Sequence, residues 1–189
     1  MTGSGLVRTF VALEIPEEIR LQLKEIQTIW RFQLPRARWT RPEGWHLTLK
    51  FLGEVERHVP GKLAEELAPR IRGLGPVTVQ LAGTGFYPTA VRPRVAWVGG
   101  TAGGVDEVVA AVEESAERCG FARERRAWTV HVTQARLKDR WPRSAVESFL
   151  DEGERLALEP FDCNEVVFFK SDLQPGGAVY TALERLPLE

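Results

Sequence analysis

Residues 45–52, WHLTLKFL, alternate strictly: Leu47, Leu49 and Phe51 fall on one face of an extended chain, and His46, Thr48 and Lys50 on the other. A strand with one apolar face must lay that face on a core. The other face then presents an imidazole and a hydroxyl side by side, about 6.6 Å apart. Residues 127–136, AWTVHVTQAR, repeat the spacing at His131 and Thr133, and the two motifs use two of the chain's three histidines. Either each histidine is a structural residue on its own strand, or the two strands meet around one substrate.

The surrounding pattern interleaves helices and strands. Residues 6–15 read as a strand, and Pro16 with Glu17 and Glu18 opens a helix bearing Ile19, Leu23, Ile26 and Trp30 on one face. A second helix is predicted over 59–72, strands over 77–86 and 94–99, a third helix over 105–119 and a fourth over 142–152. Residues 163–173 and 178–186 read as closing strands. The glycine-rich segment 99–104 is the expected break between two lobes. Each half thus contains a helix followed by a strand with His-x-Thr, which predicts an α+β protein of two related lobes.

The chain has 189 residues, enough for one domain with a sizeable core, and its 43% hydrophobic and 27% charged composition is that of an ordered globular protein. The formal net charge of −1 excludes a global positive field, so any phosphate binding must be local. Cys119 and Cys163 lack CxxC spacing and read as reduced thiols. The opening residues carry no leader pattern and no apolar run approaches the ~20 residues of a membrane span, so the expected location is the cytoplasm.

Two His-x-Thr faces opposed across a cavity suit a phosphodiester. Imidazole, with an ordinary pKa of roughly 6.5, can take a proton from water or deliver one to a leaving oxygen near neutral pH. A pair on opposite sides of phosphorus can do both in line, while Thr48 and Thr133 hold the non-bridging oxygens. The scheme needs no metal, and none is expected: the histidines lack HExxH spacing and neighbouring cysteines, and threonine is a poor zinc ligand. The glycines of 83–86 and 99–104 match neither a P-loop nor a dinucleotide fingerprint.

The segments RTFVALEIPEEIR (8–20), RWTRPEGWHLTLKFLGEV (38–55), PRVAWVG (93–99) and VVFFKSDLQPGGAVYTAL (166–183), with the two motifs, carry a likeness that covers nearly the whole chain. It resembles the 2H phosphoesterases, and within them the bacterial and archaeal RNA 2′,3′-cyclic phosphodiesterases, also called 2′-5′ RNA ligases. The resemblance implies a two-lobed α+β fold in which two antiparallel sheets form a central cleft, helices lie on the outer faces, and one His-x-Thr stands on each side. It implies a single domain, 1–189, with lobes near 1–100 and 101–189, exchange of the closing strands being left open.

The activity implied is hydrolysis of an RNA terminal 2′,3′-cyclic phosphate to a 2′-phosphate, with no cofactor; His131 is taken here as the group that activates water and His46 as the one that protonates the leaving oxygen, the swapped assignment being left open. The same groups would catalyse 2′-5′ ligation in reverse, and a non-catalytic nucleotide- or RNA-binding module is the third alternative. The expected partners are RNA 3′ ends or nucleotides with a 2′,3′-cyclic phosphate, bound by a monomer with no membrane association.

The second motif departs from the family's usual His-Leu-Thr-Leu: Gln134 puts an amide where a buried leucine is customary, so it requires a hydrogen-bond partner or a solvated edge. Candidate substrate contacts are Lys50, Arg136 and Arg126, from arginine-rich stretches around Arg36, Arg38 and Arg41 and around Arg123, Arg125 and Arg126. Arg136 alternates away from His131 unless a bulge intervenes. Phe86 and Tyr87 offer either a stacking surface for a base or core packing.

Overall fold

The computed structural model describes residues 5–175 and 177–189. The opening residues 1–4, read above as lacking a leader, lie outside that range. The described residues fold as α+β, with nine strands in two antiparallel sheets and four α-helices. The first sheet contains β1 (Leu6–Glu14), β3 (His46–Glu56), β8 (Glu165–Gln174) and β9 (Gly177–Pro187), in the order β3-β1-β8-β9. The second contains β2 (Arg38–Trp39), β4 (Val77–Thr89), β5 (Arg92–Gly103), β6 (Val132–Arg136) and β7 (Phe161–Cys163), in the order β2-β6-β5-β4-β7.

The expected division near residue 100 does not separate the sheets. Strand β4 precedes it and β5 runs across it, and together they join β6 and β7, which follow it, in one sheet, whereas β8 and β9 return to complete the sheet begun by β1. The glycines of 99–103 do not break the chain but lie within β5, where Gly100 takes a φ of 152° that lets it pass the Gln80 backbone closely.

The helices α1 (Glu17–Gln33), α2 (Val59–Ile71), α3 (Val105–Arg118) and α4 (Arg143–Glu154) bury one stripe each. In α1 that stripe is Ile19, Leu23, Gln27 and Trp30; Trp30 meets Phe149 of α4 edge-on at 4.9 Å. Phe86 joins this cluster, 6% exposed and against Phe149 and Trp141, so it belongs to the core and offers no base-stacking surface. Strand β1 is buried on both faces: Val11 and Leu13 face the main core, while Phe10 and Ala12 form a small apolar cluster with Val167 and Phe169. That is why its sequence is nearly continuously apolar.

Strict alternation in β3 is interrupted twice. Val11 pairs with Lys50 but Ala12 with Thr48, leaving Leu49 as an extra residue, and a second shift skips Leu52. Each bulge inverts the side-chain parity that follows it. Phe51, expected on the core face, is thus exposed, and Lys50 turns away from His46 into the interior. Its ammonium donates to both Glu113 carboxylate oxygens at 2.8 and 2.9 Å and to the Ala122 carbonyl, with side-chain exposures of 2% for Lys50 and 11% for Glu113. Lys50 is therefore a structural ion and not a substrate contact. Both cysteines are free, and burial pushes the Cys163 thiol up to about 12.

Removing one partner of a buried ion pair strands the other charge. Lys50→Met should destabilise the fold by about 3–5 kcal/mol in urea unfolding, and Lys50→Met with Glu113→Leu should recover most of the loss.

Candidate active site

The cleft face of each sheet carries one motif. His46 opens β3, and the stacking plane of its ring is set by Phe10, 4.5 Å away, with the edge of Tyr180 at 5.1 Å. Its Nδ1 lies 2.8 Å from the Gly44 carbonyl. A carbonyl can only accept, so Nδ1 carries the proton and Nε2 is left free. His131 stands just before β6 and repeats the arrangement: Nδ1 donates to the Thr129 carbonyl at 3.0 Å, and Tyr87 meets the ring edge-on at 5.5 Å.

Both rings line one cleft of ≈ 440 Å³, together with Thr48 from β3 and Thr133 from β6. That volume is in the range of small-ligand sites. Burial lowers His46 from 6.5 to about 4, against the opposing bond to Gly44, and the neighbouring His131 adds to the depression. The neutral ring is therefore its resting form at neutral pH.

A bulge also settles the position of Arg136. Ala96 pairs with Ala135 and Trp97 with Thr133, so Gln134 is the extra residue of β6. Thr133 and Arg136 consequently share the cleft side, which regular alternation would have forbidden. Gln134 faces inward with no exposure, and its Oε1 accepts from Gln27 of α1 at 3.2 Å. The amide in place of an apolar side chain is thus satisfied.

Arg8, Arg38, Arg41 and Arg136 line the cleft and no carboxylate does. Among the described residues none of these guanidinium groups is ion-paired, whereas Arg70, Arg118, Arg123, Arg143 and Arg185 all are. A near-neutral chain therefore presents a locally cationic cleft. Arg126, expected as a contact, is exposed and outside it.

The family profile for LigT-like phosphoesterases matches residues 13–97. An RNA 2′,3′-cyclic phosphodiesterase of Thermus thermophilus is 35% identical over 198 aligned positions, covering 96% of this chain and 90% of its own. The chain belongs to the LigT-like phosphoesterases of the 2H superfamily. The fold agrees. The crystal structure of TT0787 of Thermus thermophilus matches with a TM-score of 0.79 at 26% identity, over 96% of this chain and 97% of that one. That of Escherichia coli LigT complexed with 3′-AMP matches with a TM-score of 0.69 at 27% identity, over 97% and 98%.

In this phosphoesterase the sequence motifs located the two histidines, the two threonines and Tyr87 at the cleft, and Arg38, Arg41 and Arg136 join them. Phe10, Tyr180, Ser171 and Arg8 were not legible as site residues. They belong to β1, β8 and β9, strands recognised for their apolar content, and nothing in a single sequence says which face borders a cavity. Among the described residues no three His, Cys, Asp or Glu side chains are grouped to hold a metal ion, and no helix is long and apolar enough to cross a membrane.

The lowered pKa has a thermodynamic sign. A histidine that protonates at about 4 folded and 6.5 unfolded binds more protons in the unfolded state between those values. Its contribution to stability is full above pH 6.5 and lost as pH falls toward 4. Urea unfolding of the protein and of His46→Gln across this window should show a smaller acid loss in the variant, and NMR titration should place the His46 midpoint well below 6.5.

Proposed function

We propose that the chain hydrolyses RNA terminal 2′,3′-cyclic phosphates to 2′-phosphates by paired imidazole catalysis, without a metal ion. The observation that carries the reading is the matched orientation of the two rings. Each comes from a different sheet, each has Nδ1 engaged by the carbonyl two residues upstream, and each has Nε2 left for the cleft. The substrate class is supported by the name of the Thermus thermophilus relative and by the ribonucleoside 3′-phosphate bound to Escherichia coli LigT.

With phosphorus between the rings, the Thr48 and Thr133 hydroxyls donate to the non-bridging oxygens, where negative charge grows as water adds. One neutral Nε2 removes the water proton while the opposite imidazolium delivers a proton to the departing 3′ oxygen, leaving a 2′-phosphate. Because burial keeps His46 neutral at rest, His46 is assigned here as the base and His131 as the acid. This is the opposite of the division favoured from the sequence, which left the two roles open to exchange. The unpaired arginines offset the phosphate charge and attract the RNA end locally.

Purified protein with a 2′,3′-cyclic nucleotide in excess chelator should yield the 2′-phosphate. Loss of turnover restored by zinc or manganese would refute metal independence. Thr48→Val and Thr133→Val should each reduce kcat by roughly 10²-fold while leaving the fold intact. Alanine at either histidine should remove most turnover, and the double variant should lose little more. A bridging sulfur at the 3′ position leaves without needing a proton, so it should rescue His131→Ala and not His46→Ala. The opposite pattern would return the acid role to His46.

A further inference from the structure

Both His-x-Thr motifs are followed at once by a bulged residue, Leu49 in β3 and Gln134 in β6. Two-against-one pairing takes backbone groups out of the regular ladder, and an inward carbonyl then needs a donor from elsewhere. In each motif the threonine carbonyl finds that donor on the segment leading into the other motif. The Trp128 indole N–H, upstream of His131, donates to the Thr48 carbonyl at 2.7 Å. The Thr40 hydroxyl, upstream of His46, donates to the Thr133 carbonyl at 2.6 Å. That hydroxyl in turn accepts from the indole N–H of Trp45, the residue before His46, at 2.8 Å.

Among the described residues no strand of one sheet pairs with a strand of the other. The two indole bonds therefore join the cleft walls at the level of the two threonines. We propose that Trp128 and the Trp45–Thr40 pair are reciprocal positioning residues, each fixing the opposite motif so that both imidazoles stay in line across a bound phosphodiester. The proposal rests on the paired-imidazole reading above. It assigns these side chains no contact with substrate: they act through the backbone of Thr48 and Thr133. A displacement near 1 Å at a reacting pair is enough to lower a rate by about 10²-fold, whereas the loss of one hydrogen bond leaves a fold of this size standing.

Trp128→Phe keeps an aromatic ring and removes the N–H; Thr40→Val removes the hydroxyl and Thr40→Ser keeps it. With a 2′,3′-cyclic nucleotide, Trp128→Phe and Thr40→Val should lower kcat roughly tenfold or more with little change in KM. Thr40→Ser should stay near the starting rate, and Trp128→Phe should add little to the loss already caused by His131→Ala.

A readout without substrate accompanies these rates. NMR titration of His46 should move upward when His131 is replaced by alanine, and that displacement should shrink when Trp128→Phe is also present. The proposal is overturned if Trp128→Phe and Thr40→Val lower only the unfolding temperature, leaving kcat within twofold and the His46 displacement unchanged. Should Trp128→Phe not fold, the Thr40→Val and Thr40→Ser pair decides by the same two measurements. If the parent protein turns over no cyclic phosphate, the proposed function fails, and the NMR displacement still decides the positioning role.

Discussion

A β-bulge turns the alternation of a strand over by one residue, and in this protein it does so immediately after the threonine of each His-x-Thr motif. The consequences spread outward from those two points. In β3 the inversion sends Lys50 into the interior to meet Glu113 and turns Phe51 out to the cleft. In β6 it sends Gln134 inward to meet Gln27 and turns Arg136 out beside Thr133. Each strand thereby presents three cleft residues that a regular strand could not align, namely His46, Thr48 and Phe51 on one wall and His131, Thr133 and Arg136 on the other.

Much of this was legible in the sequence because hydrophobic periodicity and paired motifs are local. The four helices begin at Pro16, near Val59, after Gly104 and at Pro142, close to where apolar stripes and helix-start residues put them. His46, Thr48, His131 and Thr133, singled out by their spacing and by the family resemblance, line one cleft. What periodicity could not register was a change of phase: a bulge leaves no composition signal, so Lys50 and Phe51 were placed on each other's faces. Sheet membership was equally hidden. Residues 77–103 continue the first half in sequence, yet Val77 pairs with Cys163 and Val95 with Arg136, contacts whose partners are separated by long intervening chain.

The electrostatics follow the same division into walls. His46 sits on the apolar cluster of Phe10, Phe169 and Tyr180, an environment that disfavours its charged form. The arginines are exposed along the cleft, and burial holds the Tyr180 phenol above its ordinary value although Arg136 and Arg8 oppose that rise. The cleft thus sets a buried, neutral imidazole beside a rim of guanidinium charge.

The return of β8 and β9 to β1 sets a condition on when this site exists. A chain made on the ribosome emerges N-terminus first, so β1, β3 and both His-x-Thr segments are available before residues 165–187 have been made. Until those residues pair, Phe10 lacks Phe169, His46 lacks the edge of Tyr180, and the wall beneath the first imidazole is missing. A product terminated between residues 134 and 164 would carry both His-x-Thr segments without the strands that pack beside His46. Synthesis of residues 165–187 is therefore the step that completes the first sheet and closes this wall of the cleft.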